Sequence, residues 1–196
     1  MQQQDDGAQA RWDKIYTDAV LAGKIVDVLR DNVHLLSRTG RSLDVACGLG
    51  DNALFLAHFG LTSHAWDISP VAIEKLSERA RTQGVTVHAQ ARDIVANPPD
   101  PASFELIVVS NFLDRALFPS LINALTPSGL LFYQTYSRLR VDDAGPRNEA
   151  YRLAANELLS LCHPPLHVVV YREEGSLGDV SKGLRNMAHI VAQRLN

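Results

Sequence analysis

Apolar and polar positions follow one another along this chain in a pattern that predicts strands and helices in turn. Short apolar runs that end in polar residues indicate buried strands, and apolar residues spaced three or four apart indicate helices. The predicted strands cover 43–46, 61–67, 85–90, 104–110, 130–135, 166–171 and 186–194. The predicted helices cover 11–22, 24–36, 51–59, 70–83, 114–125 and 157–162, after a frayed start over 1–9. A turn is predicted over 126–129, and Asn156 is expected to cap the helix over 157–162.

This order of elements predicts an α/β fold. Parallel strands need crossover connections, and helices between strands supply them. We therefore expect a doubly wound, mostly parallel seven-stranded sheet with helices on both faces. The last two strands have no full helix between them, which predicts an antiparallel hairpin at one edge. The 196 residues suit one domain over 1–196, with a helical segment over 1–36 and an α/β core over 37–196.

Two glycines separate the first strand of the predicted core from the next helix. Gly48 and Gly50 follow the apolar run that ends at Ala46, and the helix begins at about Asp51. Such a turn directs backbone N–H groups at the helix start toward a ligand, and glycine permits both positive φ and close ligand approach. The spacing Gly48-x-Gly50-x-x-Ala53 also fits a dinucleotide site. An NAD-type oxidoreductase is therefore one interpretation.

Asp44, four residues before Gly48, separates two interpretations of this turn. A buried carboxylate would repel the pyrophosphate of a dinucleotide, whereas it would attract a cationic sulfonium ligand that carries an α-amino group. The alternative role for Asp44 is a helix cap or a solvated strand end. Asp67, Asp93 and the segment 110–114 also follow predicted strands. Because ligands bind outside the carboxyl ends of parallel strands, we expect these polar groups to face one binding edge.

Four stretches of the chain together resemble the class I S-adenosylmethionine-dependent methyltransferases. They are Leu43–Gly50, with an acidic residue before G-x-G, followed by Trp66–Ser69, Ala91–Ile94 and Leu125–Leu131. The compact size and the opening Trp12–Tyr16 are similar to the small tellurite-resistance type. The resemblance implies that S-adenosylmethionine is the cofactor and that its methyl group is transferred to an acceptor. A noncatalytic cofactor-binding protein with the same fold stays an alternative.

The resemblance also implies roles for individual residues. The Gly48–Gly50 turn would lie against the methionine part of the cofactor, and Asp67 would accept hydrogen bonds from both ribose hydroxyls. Asp93 would accept from the adenine amine while Ile94 packs on the ring. Capping the helix at Pro70 is the alternative for Asp67, and an exposed loop position is the alternative for Asp93. The expected cofactor contacts are Asp44, Ala46, Gly48, Gly50, Asn52, Asp67, Ile68, Asp93, Ile94, Ser110 and Tyr16.

Signals for the acceptor are weaker. Asn111 follows the fourth strand and would lie near the reactive end of the cofactor, or it could instead cap the next helix. Arginines and tyrosines near the same strand ends suit an anionic acceptor: Arg115, Arg138, Arg140, Arg147, Arg152, Tyr133, Tyr136 and Tyr151. The polar segment 137–153 is long for a connection, which favours a mobile lid. We expect Asn111, Arg147 and Tyr136 to serve catalysis, with a thiol, oxyanion or chalcogen compound as acceptor; no general base is evident.

Composition narrows the classes of partner. Lys and Arg number 19 against 22 Asp and Glu, so no basic excess indicates nucleic acid binding. No apolar run approaches the ~20 residues that span a bilayer, and the N-terminus lacks an apolar signal core. We therefore expect a cytoplasmic protein without membrane association. The two cysteines and seven histidines show no metal-ligand spacing, so no metal site is predicted.

Overall fold

The computed structural model describes residues 5–19 and 23–195. The chain divides into two compact units, Met1–Pro99 and Asp100–Asn196, while the expectation of a single domain stays a prediction. The seven strands form a mostly parallel sheet that includes antiparallel pairs, with helices packed on it. The predicted fold class is therefore confirmed.

The first unit alternates helices with three strands. Its elements are α1 (Asp5–Asp18), α2 (Asp27–Asp31), β1 (Arg41–Val45), α3 (Asp51–Phe59), β2 (Thr62–Asp67), α4 (Pro70–Thr82) and β3 (Val87–Ala91). Strand β2 pairs in parallel with β1 on one side and with β3 on the other. Small residues let the helices approach the sheet closely. The buried cluster between them is Cys47, Ala53, Leu54, Ala65, Leu76 and Ala80.

Two predicted helices of the first unit have different bounds in the structure. Helix α1 begins at Asp5, before the predicted start at residue 11. The rest of the predicted helix, 20–22, and residues 1–4 of the predicted frayed start lie outside the described residues. The helix predicted over 24–36 is only α2 and a 3₁₀ turn over Val33–Leu35. Asn32 separates them, because its side-chain amide donates to the Val28 carbonyl and competes with the backbone.

The second unit contains four strands in the order β4-β5-β7-β6. Its elements are β4 (Phe104–Ser110), α5 (Phe118–Ala124), β5 (Leu125–Tyr136), α6 (Glu157–Cys162), β6 (His167–Arg172) and β7 (Met187–Gln193). Strands β4 and β5 are parallel, whereas β7 runs antiparallel to both β5 and β6. Across the described parts of both units, no helix is long and apolar enough to cross a membrane.

Three local predictions for the second unit are wrong in detail. The predicted turn 126–129 is a bulge inside β5, held by backbone bonds to Arg194 from Ser128 and Gly129. The helix predicted from residue 114 begins as a 3₁₀ turn over Arg115–Leu117 and becomes regular only at α5. Asn156 takes a left-handed φ of 60° and does not cap α6 with its side chain. Local turn chemistry alone does not determine these bounds.

Candidate functional site

The glycine turn after β1 and the end of β2 meet at one carboxylate. The Gly48 N–H donates to Asp67 Oδ2 at 2.8 Å, and the Ser69 N–H donates to Asp67 Oδ1 at 2.9 Å. Asp67 is 5 % exposed, and burial raises its pKa although these two backbone bonds lower it. Each carboxylate oxygen accepts more than one hydrogen bond. Asp67 can therefore hold the turn and still accept donors from a ligand.

The two glycines of the turn are required for different reasons. Gly48 has a φ of 52°, and a Cβ there would lie 2.8 Å from the Tyr16 hydroxyl oxygen. Gly50 has a φ of 77°, and a Cβ there would overlap the side chain of Leu76 on α4. Gly48 therefore keeps space on the side that Tyr16 covers, whereas Gly50 allows α4 to pack. Ala46, just before the turn, also has a positive φ, of 51°.

Helix α1 carries Tyr16 to the turn, and α4 fixes α1 in place. The Ser69 hydroxyl donates to Asp13 Oδ1, and Lys75 Nζ donates to the carbonyls of Tyr16 and Thr17, near the end of α1. Burial raises the pKa of Tyr16, with the charge of Asp67 adding to the effect, so its hydroxyl stays protonated as a donor. The roles of Asp13 and Lys75 have no signal in the sequence, since no local pattern pairs residues so far apart in the chain.

Asp44 lies behind the turn and is fully buried. Its Oδ1 accepts from Asn52 Nδ2 at 3.4 Å, and its Oδ2 accepts from the Ala53 N–H at 3.2 Å. Asn52 Oδ1 in turn accepts from the Val26 N–H at 3.0 Å. Burial raises the pKa of Asp44 to about 8, and a nearby cation would favour its charged form. The two side chains thus stabilise the start of α3, and their contact with a cofactor stays a prediction.

The end of β3 carries the third predicted group. Asp93 Oδ1 accepts from the backbone N–H groups of Val95 and Ala96, which stabilises the turn after the strand. Ile94 is buried, and Ile68, directly after β2, is half-buried. The contacts expected for Asp93, Ile94 and Ile68 with a cofactor stay predictions.

In the second unit, β4 is followed by Asn111, whose backbone is in the left-handed region. Ser110 lies opposite Gln134 of β5, and the Asn111 N–H donates to the Gln134 carbonyl with Asn111 at a φ of 56°. Left-handed backbone at a residue other than glycine is often found at functional sites. The predicted alternative that Asn111 caps the next helix is wrong, because Asp114 Oδ1 accepts from the Leu117 N–H. The exposed Asn111 side chain makes no hydrogen bond to a described residue.

The five arginines predicted for the acceptor differ in their surroundings. Arg115 pairs with Glu157 and donates to two carbonyls, Arg152 is buried against three carbonyls, and Arg138 donates weakly to Glu149. Arg140 and Arg147 are exposed and have no ion pair or hydrogen bond within the described ranges. Only these last two guanidinium groups are thus left available for an anion.

The three tyrosines also differ. Tyr136 ends β5 half-buried, with its ring against Gly145 and the Arg152 guanidinium carbon 5.5 Å from its centroid. Tyr151 is exposed. Tyr133 is fully buried and donates to the Phe112 carbonyl, so its expected place beside the acceptor is wrong. The burial of Tyr133 was not predicted, because the sequence of an apolar strand does not show which of its side chains face the core.

A family model described as a methyltransferase domain matches residues 43–129 of the chain. No curated protein matches the chain significantly. Among solved structures, TehB from Haemophilus influenzae is 20 % identical with a TM-score of 0.68, covering 95 % of this chain and 66 % of its own. A structure from work on conversion of a disulfide bond into a thioacetal group during echinomycin biosynthesis is 19 % identical, with a TM-score of 0.72 and coverage of 96 % and 92 %.

A third similar structure is geranyl diphosphate C-methyltransferase from Streptomyces coelicolor A3(2), bound to Mg²⁺, geranyl diphosphate and S-adenosyl-L-homocysteine. It is 13 % identical, with a TM-score of 0.69, and the match covers 95 % of this chain and 98 % of its own. At these identities the likeness shows the fold. The family match covers β1 to the start of β5 and so includes both the glycine turn and the strand ends described above.

Proposed function

We propose that this chain is a class I S-adenosylmethionine-dependent methyltransferase and that it methylates a small acceptor, a thiol, an oxyanion or another chalcogen compound. The observation that carries the proposal is the direct bond between the Gly48 N–H and Asp67 Oδ2. It joins the glycine turn to the carboxylate that follows β2. A turn and a carboxylate held together in this way suit the methionine and ribose parts of one ligand.

The residues of the first unit fit S-adenosylmethionine. Asp67 has lone pairs left for two ribose hydroxyls after it has accepted two backbone bonds. Gly48 keeps free the face that a side chain would fill, and Tyr16 offers a protonated hydroxyl above it. The bound cofactor supplies a methyl group on a sulfonium sulfur. The positive charge of the sulfonium would favour the charged form of Asp44.

The residues of the second unit supply recognition of the acceptor. Arg140 and Arg147 are exposed cations without partners among the described residues, and a guanidinium binds an oxyanion through two parallel N–H bonds. Asn111, directly after β4, and Tyr136, at the end of the neighbouring parallel strand β5, add further polar side chains. Methyl transfer needs alignment and exclusion of water more than proton transfer, so binding and orientation suffice for an acceptor that is already a good nucleophile.

Incubation with S-adenosylmethionine labelled in its methyl group tests this function. The acceptors are selenite, tellurite, thiols such as dithiothreitol, and neutral hydroxyl compounds as the control set. We expect label on an oxyanion or thiol and none on the neutral hydroxyl compounds. Binding of S-adenosylmethionine without transfer to any acceptor would favour the noncatalytic alternative, and preferential binding of NAD would favour the oxidoreductase.

A further inference from the structure

Two long connections of the second unit lie at the same end of its strands. The segment 137–153 leaves β5 after Tyr136, and the segment 173–186 enters β7 at Met187. Tyr136 and Met187 are paired across the antiparallel strands β5 and β7. The two segments therefore begin and end beside each other, and we call them together the acceptor platform.

One buried arginine organises the first segment of the platform. Arg152 is 1 % exposed, and its guanidinium donates to the carbonyls of Ser137 at 2.9 Å, of Pro146 at 2.7 Å and of Ala144. The same group lies over the ring of Tyr136. A planar group with five fixed donors holds several carbonyls in one arrangement, which an ammonium group does not reproduce. Arg152 thus fixes the backbone on both sides of Gly145.

A second arginine organises the other segment in the same manner. The Arg185 guanidinium donates to the carbonyls of Gly175 at 2.7 Å, Leu177 at 2.9 Å, Asp179 at 2.8 Å and Lys182 at 2.6 Å. These acceptors span most of the connection between β6 and β7. Each segment of the platform therefore has its own arginine centre.

Asn186 and Ser137 join the two segments. Asn186 Oδ1 accepts from the Val141 N–H at 2.7 Å, and Asn186 Nδ2 donates to Asp142 Oδ1 at 2.8 Å. The Ser137 hydroxyl donates to Glu173 Oε1 at 2.8 Å. Asn186 has a φ of 61°, a conformation that asparagine tolerates better than most residues. These bonds connect the two segments directly.

We propose that segments 137–153 and 173–186 form one pre-ordered acceptor platform, in which Arg152 and Arg185 are positioning residues and the Asn186–Asp142 bond couples the segments. Because the platform is ordered before an acceptor binds, it presents Arg140 and Arg147 in a fixed arrangement. This fixed arrangement preserves the alignment that methyl transfer needs. The link to an acceptor rests on the proposed function. The expectation of a mobile lid over 137–153 makes the opposite prediction for the unliganded protein.

Hydrogen exchange on the full chain without ligands tests the platform. We expect slow exchange in both segments of the wild type. Asn186→Asp places a second carboxylate against Asp142 and keeps a side chain that tolerates positive φ. We expect this variant to speed hydrogen exchange about tenfold in both segments. The double variant Asn186→Asp with Asp142→Asn exchanges donor and acceptor and should restore slow exchange.

Arg152→Lys and Arg194→Lys form a matched pair. The Arg194 guanidinium also donates to carbonyls, of Asn123 and Leu125, but at the opposite end of β5. We expect Arg152→Lys to speed exchange in both segments and Arg194→Lys to leave both unchanged. Fast exchange in the unliganded wild type, or a response confined to the mutated segment, would overturn the platform.

Kinetics with selenite as the probe acceptor connect the platform with catalysis. We expect Arg152→Lys to lower kcat with selenite roughly 10–100-fold, the range for a small misplacement of reacting groups, with little change in the KM for S-adenosylmethionine. If the wild type transfers no label to selenite, the result counts against the oxyanion part of the proposed function. The existence of a pre-ordered platform is tested by hydrogen exchange alone.

Discussion

The strand ends of the first unit that carry Asp44, Asp67 and Asp93 and the acceptor platform of the second unit are built from opposite chemistry. In the first unit, the carboxylates Asp44, Asp67 and Asp93 accept from backbone N–H groups at the ends of their strands. In the second, the guanidinium groups of Arg152 and Arg185 donate to backbone carbonyls. An acceptor-rich edge suits the hydroxyl and amine donors of a nucleoside, whereas the exposed Arg140 and Arg147 of the platform suit an anion.

The difference also explains why one region can be recognised in a sequence and the other cannot. The carboxylates lie at or near the carboxyl ends of strands, and Asp44 precedes the glycine turn, so spacing alone indicates them. Arginines bind whichever carbonyls the fold brings near, and five arginines in similar sequence surroundings receive different partners. Motifs in the sequence therefore identify the carboxylates of the first unit, whereas the partners of the arginines in the second unit can be identified only from the structure.

Replacing Gly48 should break the first region most severely. Gly48→Ala places a Cβ 2.8 Å from the Tyr16 hydroxyl at a positive φ, so we expect S-adenosylmethionine affinity to fall by ~100-fold or more, given strain of about 1–3 kcal/mol plus the clash. Gly84→Ala is the matched control, since Gly84 has a φ of 67° and open space around it. Calorimetry should show normal binding there. Equal binding by both variants would mean that the turn does not hold the cofactor.

The next effect compares two carboxylates of the same edge. Asp67→Ala should cost about 1.5–3 kcal/mol of S-adenosylmethionine binding, the range for hydrogen bonds to a charged group. Asp93→Ala should cost less, because Asp93 is more exposed than Asp67 and hydrogen bonds are stronger where water is excluded. Calorimetry on both variants, with thermal unfolding to confirm that they fold, gives the comparison. A greater loss at Asp93 would move the main polar contact from the ribose to the adenine.

The sequence predicted much of the fold because its signals there are local. Strand β4 and helix α3 have the predicted bounds, and α4 begins where Ser69 and Pro70 indicate a cap and a first turn. The break at Asn32 was missed because its side chain bonds to the Val28 carbonyl and overrides helix propensity.

The candidate site divides in the same way. Asp67 could be located from its position after an apolar run, but its bond to the Gly48 N–H needs two strands in register. The contact between Ser69 and Asp13 joins residues far apart in sequence and has no local signal. The buried state of Arg152 depends on three carbonyls gathered by a folded turn, so it could not be distinguished from the exposed Arg147 by sequence.

Arg147 tests whether the second region recognises the acceptor and not the cofactor. Arg147→Ala should lower turnover roughly tenfold, the loss of one charge-assisted hydrogen bond, and leave S-adenosylmethionine affinity nearly unchanged. Arg81→Ala, which removes an exposed charge from α4, is the control. Steady-state rates with the oxyanion or thiol that accepts label give the comparison. Normal turnover in Arg147→Ala would place acceptor binding on other residues.

Asp44 gives the smallest effect, a change of stability with pH. Its pKa is about 8 in the folded chain and ordinarily 3.8, so the unfolded state releases the proton first as pH rises. The stability that protonated Asp44 contributes is full below pH ~4 and is lost as pH rises toward 8. Asp44→Asn cannot ionise and should gain stability relative to wild type by at most about 1.4 kcal/mol between pH 6.5 and 7.5. Urea unfolding of both proteins at these two values measures the difference, in which the contribution of Asp67 cancels because both chains contain it. If the difference in stability between the two proteins did not depend on pH, Asp44 would already be ionised at both pH values. The folded chain would then hold a buried negative charge near the glycine turn without a bound cation.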